Sequence, residues 1–294
     1  MTQIIQEKTG SAIINILLAS LCFALMALSI RMCGKEISFL QSTFIRSSVG
    51  LVITMLVIYK LKLSFLGTRK KELVWRGVVG SSAALCIFAA LKTCGLGEAM
   101  TLHRASTIYI PILAIFLLKE KLEAKKLILS LIGFAATLLI IKPNNFDISS
   151  GIFLALLSGI FNALALVSVR SLSNSESPHT IMLYFFGVSS LASLILGANY
   201  FVTPNFYQAS MLSLTAASGY AGQYFQTRAY ELGNAATVAP FSYSQVAFSC
   251  LFGWFFLAEI PDLLSFIGMA VLICINLILS RPNKSVSDES KQEI

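Results

Sequence analysis

Two arginines stand deep inside apolar runs, Arg46 about eight residues into one and Arg104 about six into another. A guanidinium at the centre of a bilayer costs about 2.5–3.5 kcal/mol on insertion scales, so each needs water, a ligand or a partner. A guanidinium fork also holds a carboxylate or phosphate through two parallel hydrogen bonds. Further polar groups recur at helical spacing: Tyr220, Gln223, Tyr224 and Thr227 fall at i, i+3, i+4 and i+7, and Thr43, Arg46, Ser47 and Gly50 repeat the pattern. His103, Ser106, Thr107 and Tyr109 surround Arg104 in its run, Ser242, Tyr243, Ser244 and Gln245 cluster in another, and Asn162 lies in a third. This is chemistry for holding a solute. The chain has two histidines, His103 and His179, and no cluster of carboxylates, so a nucleophile with its base or an acid–base pair is missing and an enzyme is not expected. The six cysteines lie in or beside apolar runs with no metal-ligand spacing, so neither a metal nor a cofactor is expected.

The candidate binding residues are therefore Arg46, Arg104, Tyr109, Asn162, Tyr220, Gln223, Tyr224, Tyr243 and Gln245. The tyrosines, with Trp254, offer surfaces for a planar base or a cation. The rival readings are structural. Arginines also cap carbonyls or snorkel to an interface, and Tyr220, Tyr224 and Tyr243 divide evenly between pocket and packing. Thr43, Ser47 and Gly50 read as close-packing residues, Tyr59 and Tyr200 as interfacial anchors, and Arg228 with Glu231 as a pair near one span end.

The elements that position these groups are membrane helices. Hydrophobic residues make up 56% of the 294 and charged ones 12%, with a mean hydropathy of +0.78. Ten windows of spanning length follow: 12–31, 38–59, 73–92, 98–118, 124–142, 150–170, 180–201, 209–229, 234–257 and 262–280. The first lacks a small-residue cleavage site and reads as a retained helix. The tail 281–294 is polar and reads as a disordered cytoplasmic segment.

The chain also repeats itself at one offset. Arg31 and Arg170 close the first and sixth runs, Glu120 and Glu259 follow the fourth and ninth, and both pairs are 139 apart (170 − 31 and 259 − 120). Two units of five spans result, 11–142 and 150–280. Five being odd, the second unit enters the membrane from the opposite side, which gives an all-α integral membrane protein of ten helices in two inverted repeats. Lys60, Lys62, Arg69, Lys70 and Lys71, with Arg76 just beyond, follow the second span; Lys119, Lys121, Lys125 and Lys126 follow the fourth. Positive charge marks those loops as cytoplasmic and puts both termini inside, at an inner membrane. The net charge of +8 is mostly this signal and not a nucleic-acid surface. The fifth and tenth spans are nearly devoid of polar groups, as expected of helices facing lipid or a partner subunit in a homodimer.

The stretch Val238–Arg281 resembles the closing motif of the EamA-type members of the drug/metabolite transporter superfamily, through Ala239-Pro240-Phe241, Tyr243, Gly253-Trp254, Glu259, Pro261-Asp262 and Ile267-Gly268; Phe44-Ile45-Arg46, Glu120 and Gly133 match in the first half. The chain departs from that pattern at Gln245, where the family often has a basic residue, and at Thr107, where it often has a proline. The resemblance implies a secondary transporter working by alternating access, with the bilayer and a small organic solute as partners; the basic groups and the lack of a deep acid favour an anionic or zwitterionic one. The overall pattern is most similar to S-adenosylmethionine uptake carriers of intracellular bacteria; amino-acid export or riboflavin import would use the same fold. Apart from Glu98 and His103 the expected cavity offers no protonatable group, so exchange is expected over direct proton coupling.

Overall fold

The computed structural model describes residues 2–34, 36–93, 100, 102–118, 124–141, 150–257 and 263–280. Glu98, Glu120, Glu259, Pro261-Asp262 and the tail 281–294 lie outside the described residues. Every regular element among the described residues is helical. The long ones are α1 (Thr2–Met32), α2 (Phe39–Lys60), α3 (Lys70–Thr93), α4 (Ser106–Leu118), α5 (Ala124–Ile141), α6 (Ser150–Leu172), α7 (Pro178–Gly197), α8 (Phe206–Leu232), α9 (Ser244–Leu257) and α10 (Leu263–Ser280). Five of these runs are long and apolar enough to cross a membrane, and three shorter ones, including Leu102–Leu118, are also apolar.

Local chemistry sets the boundaries. Ser38 caps α2 by accepting from the Gln41 amide, Ser177 caps α7 with Pro178 at its first position, and Asn205 and Gln208 form a reciprocal capping box on α8. The ninth span is not one helix. It opens with a single turn, Ala235–Val238, tightens to a 3-10 segment at Ala239–Tyr243, and becomes α9 only from Ser244. Pro240 carries no amide hydrogen and cannot continue the ladder; the Ser242 and Ser244 hydroxyls donate to the Ala239 and Phe241 carbonyls, both at 2.6 Å. The fourth span breaks similarly at Ala105, whose amide donates to the Leu102 carbonyl at 3.1 Å, and Pro111 within α4 has no amide hydrogen to give the Thr107 carbonyl.

Packing repeats the duplication. The most extensive pairings join α1 to α8 and α3 to α6, and exchanging the two units turns each pair into the other. Likewise α2 packs on its counterpart α7, α5 on its counterpart α10, and the α1–α9 pair mirrors α6–α4. The main apolar cluster accordingly mixes both halves, with Ile16 and Phe23 of α1 and Ile110 of α4 against Leu166 of α6, Tyr230 of α8 and Phe241. Small polar residues make the α2–α7 seam: Ser47 donates to Ser189 at 3.0 Å, the Ser48 and Ser190 hydroxyls are 2.7 Å apart, and a Cβ on Gly50 would meet the Phe186 ring at 2.7 Å. Serine and glycine there are packing residues.

A further junction ties the α2–α3 loop to the α6–α7 loop. One oxygen of the buried Glu176 carboxylate accepts from the Thr68 amide (2.6 Å), the Thr68 hydroxyl (2.6 Å) and the Arg69 amide (2.7 Å). Burial pushes this carboxyl up, but the Thr68 hydroxyl, the two amides and the Arg69 charge outweigh it and hold it below its ordinary value of 4.5. Gly67, with φ +62°, leaves room for the carboxylate, since a Cβ there would lie 2.5 Å from Oε2.

Candidate solute-binding cavity

α2 starts from a capped turn, and by Arg46 its eighth residue faces inward. Arg46 is 4% exposed, Arg104 4% and Arg76, six residues into α3, 3%. All three line one cavity of about 100 Å³ formed by helices of both halves. Among the described residues none of the three guanidiniums has a hydrogen-bond or ion-pair partner, and Nε of Arg46, Nε and Nη1 of Arg76 and Nε of Arg104 are fully buried. Three such cations would cost about 8–10 kcal/mol in hydrocarbon, so the cluster is tenable only where water or a counter-charge reaches it.

Two glycines make the space. A Cβ on Gly80 would overlap Nη1 of Arg76, and one on Gly219 would lie 2.7 Å from Nε of Arg46. These glycines are equivalent positions, since 80 + 139 = 219. The same offset carries Arg46 onto Phe185 of α7, and those two residues touch: Cζ of Arg46 is 5.7 Å from the Phe185 ring centroid, with Cζ of Arg76 at 5.0 Å from the same ring.

The same lining carries amides. Asn162, Gln223, Gln226 and Gln245 line the cavity, the three glutamines all below 9% exposed. Asn162 donates to the Ser106 hydroxyl at 3.0 Å, while Nε2 of Gln223 and Oε1 of Gln245 are buried without a partner. Every described cation of the lining comes from the first unit and every amide from the second. His103 also borders the cavity, its Nδ1 2.9 Å from the Ser158 hydroxyl. Among the described residues no carboxylate joins the lining, and no group of histidines, cysteines and carboxylates could hold a metal ion.

Of the residues singled out from sequence, Arg46, Arg104, Asn162, Gln223 and Gln245 thus come together. The four tyrosines stand elsewhere. Tyr243 is fully buried against Gly133 of α5, its hydroxyl donating to the Ser130 carbonyl at 3.0 Å. Tyr220 stacks on Phe186 at 6.1 Å and Tyr224 on His179 at 5.4 Å, both along the α7–α8 contact. Tyr109 packs on the main apolar cluster. Trp254 is 39% exposed and stacks on Phe255. Arg228 pairs with Glu231 at 2.6 Å, as expected. Arg76, Gln226 and Phe185 were not singled out. Arg76 reads in sequence as one more loop cation; its i, i+4 spacing to Gly80, and the recurrence of that glycine at 219, are the signals that mark it.

The comparisons agree with this architecture. The model of the EamA-like transporter family matches twice, over residues 10–142 and 149–281. The "Uncharacterized transporter" of Helicobacter pylori is 32% identical over 279 residues, covering 91% of this chain and 93% of its own. The pseudopaline exporter of Pseudomonas aeruginosa is 28% identical over 93% of this chain and 97% of its own, and the S-adenosylmethionine uptake transporter of Rickettsia prowazekii is 24% identical over 90% of each. A crystal structure superposes with a TM-score of 0.80 at 17% identity, over 92% of this chain and 96% of the other, which speaks to the fold alone. The family and these relatives are transporters by name and not enzymes, and this chain, with its two matched halves of membrane helices, belongs to the EamA-like transporter family.

Proposed function

We propose that this transporter moves a small organic anion across an inner membrane by alternating access, the two units lying inverted with both termini in the cytoplasm. The observation that carries the reading is the cavity between the units, where Arg46, Arg76 and Arg104 are buried without a partner among the described residues. Anionic groups on the solute supply the missing counter-charge. The absence of a carboxylate among the described lining residues, and the engagement of His103 with Ser158, support exchange of one solute for another over direct proton coupling. The apolar outer faces of α5 and α10, with Ile132, Phe266 and Ile273 exposed, suit lipid or a second copy of the chain.

Uptake of S-adenosylmethionine is the second reading, supported by the likeness to the Rickettsia carrier. Its carboxylate would engage one guanidinium, but its sulfonium and ammonium leave it a net cation facing three fixed cations. Proteoliposomes preloaded with a candidate solute test both. Counterflow of an organic anion without a pH gradient is the expected result. Counterflow confined to S-adenosylmethionine establishes the second reading, and accumulation that requires a pH gradient and vanishes in His103→Ala removes the exchange mechanism.

A further inference from the structure

The cations are not spread evenly around the cavity. Arg46 and Arg76 converge on the single ring of Phe185, at 5.7 and 5.0 Å from its centroid, and each has a glycine where a methyl would overlap or crowd it. Arg104 enters the same lining from the turn before α4, next to His103, whose Nδ1 is 2.9 Å from the Ser158 hydroxyl of α6. Tyr230, on α8, has its hydroxyl buried and unpartnered. The cavity thus holds two guanidiniums over one aromatic ring and a third carried by a different element, with amides of the second unit in the same lining.

From this we infer that the solute carries at least two negative charges on an organic body, one anionic group seated between Arg46 and Arg76 over Phe185 and another at Arg104. A monoanion would neutralise one guanidinium position and leave the other with water alone, whereas two anionic groups on one body meet both. A bare inorganic ion would leave the amides of Gln223 and Gln245 unused. Carboxylate and phosphate ester share the required chemistry. Arg76 becomes a binding residue here and not part of the orientation signal. The inference rests on the transport reading and narrows it.

The test is thermal stabilisation of the purified chain in lipid nanodiscs, paired with counterflow in proteoliposomes. The probes are succinate, citrate and glycerol 3-phosphate as organic dianions or trianions, with inorganic phosphate, lactate and S-adenosylmethionine beside them. At least one of the first three is expected to stabilise the chain and exchange, while lactate does neither at the same concentration. Which of the carboxylate and phosphoester probes acts distinguishes the two chemistries. Arg76→Gln should weaken that solute about 10- to 100-fold, the range for one charge-assisted contact, and Arg76→Lys should lose less. Gly80→Ala leaves every charge in place while displacing the Arg76 guanidinium and pressing on the Phe185 ring beneath it, 3.0 Å from the added carbon, so it should reproduce much of the loss even if Arg76→Gln folds poorly. Counterflow of lactate or S-adenosylmethionine that ignores Arg76→Gln would leave the carrier reading standing and overturn this inference. No stabilisation by any of the three polyanions, with no counterflow of any probe, would overturn both.

Discussion

Replacing Glu176 by Ala should sharply destabilise the junction between the α2–α3 and α6–α7 loops. Its carboxylate oxygen accepts three hydrogen bonds, at 2.6, 2.6 and 2.7 Å, from two residues of the α2–α3 loop, and the residue is 7% exposed. Hydrogen bonds to a charged group contribute about 1.5–3 kcal/mol each, and three donors sharing one oxygen are not additive, so a loss of about 3–5 kcal/mol follows. At about 2–4 °C per kcal/mol for a chain of this order of size, the melting temperature should fall by on the order of 10 °C. Glu176→Gln keeps an acceptor oxygen without the charge and should lose about half as much. The measurement is scanning fluorimetry of wild type and both variants in one detergent across a pH series. The carboxyl is held below its ordinary value of 4.5, so its contribution is complete above 4.5 and is lost as pH falls through the lower folded value. The gap between wild type and Glu176→Ala should therefore be constant near neutrality and close only in acid below 4.5. An Ala variant melting within about 2 °C of wild type at pH 7, or a gap that closes as pH rises, would refute the reasoning.

Three further outcomes are expected. Tyr243→Phe removes a hydroxyl that bonds both the Ser130 carbonyl and the Thr107 side chain, about 1–2 kcal/mol, so melting should drop by a few degrees while the half-saturation constant for exchange stays unchanged; the reverse would put Tyr243 in contact with solute. Gly50→Leu drives a side chain into the Phe186 ring, 2.7 Å from the added Cβ, and immunoblots should show reduced membrane abundance. Reporters fused after Ile294 and within Arg69–Lys71 should both read cytoplasm, and an external signal from either would dismantle the proposed orientation.

How far the sequence disclosed this molecule depended on the kind of information. Apolar run length determined the helices, because a bilayer of fixed thickness demands about twenty apolar residues whatever they pack against. The offset of 139 revealed the duplication before any contact was known. Arg46, Arg104, Asn162, Gln223 and Gln245 were legible as polar groups with no cheap place in lipid. Arg76 was hidden by its neighbours, since a cation a few residues past Arg69, Lys70 and Lys71 looks like loop charge until α3 is seen to carry it over Gly80. The polar face of α8 was visible as a face, but periodicity does not say what a face meets. Its glutamines border the cavity, while Tyr220 and Tyr224 turn to α7. Pro240 is plain in the sequence, but the 3-10 segment that follows from it is a backbone consequence that hydropathy does not register.

The crossed pairing of the two units has a consequence for how the chain is made. The first helix finds its main partner only when α8 emerges, and α3 only when α6 does. Arg46 and Arg76 must therefore reside in the membrane before Phe185, their aromatic neighbour, has been synthesised. During that interval the first five helices have no finished core to close around, and their guanidiniums must be kept hydrated near the translocation machinery. Biogenesis of this carrier is thus a waiting problem: its first half is inserted early but acquires its fold late, on arrival of the second. Supplied as two separate polypeptides, the halves should each be short-lived alone and persist together.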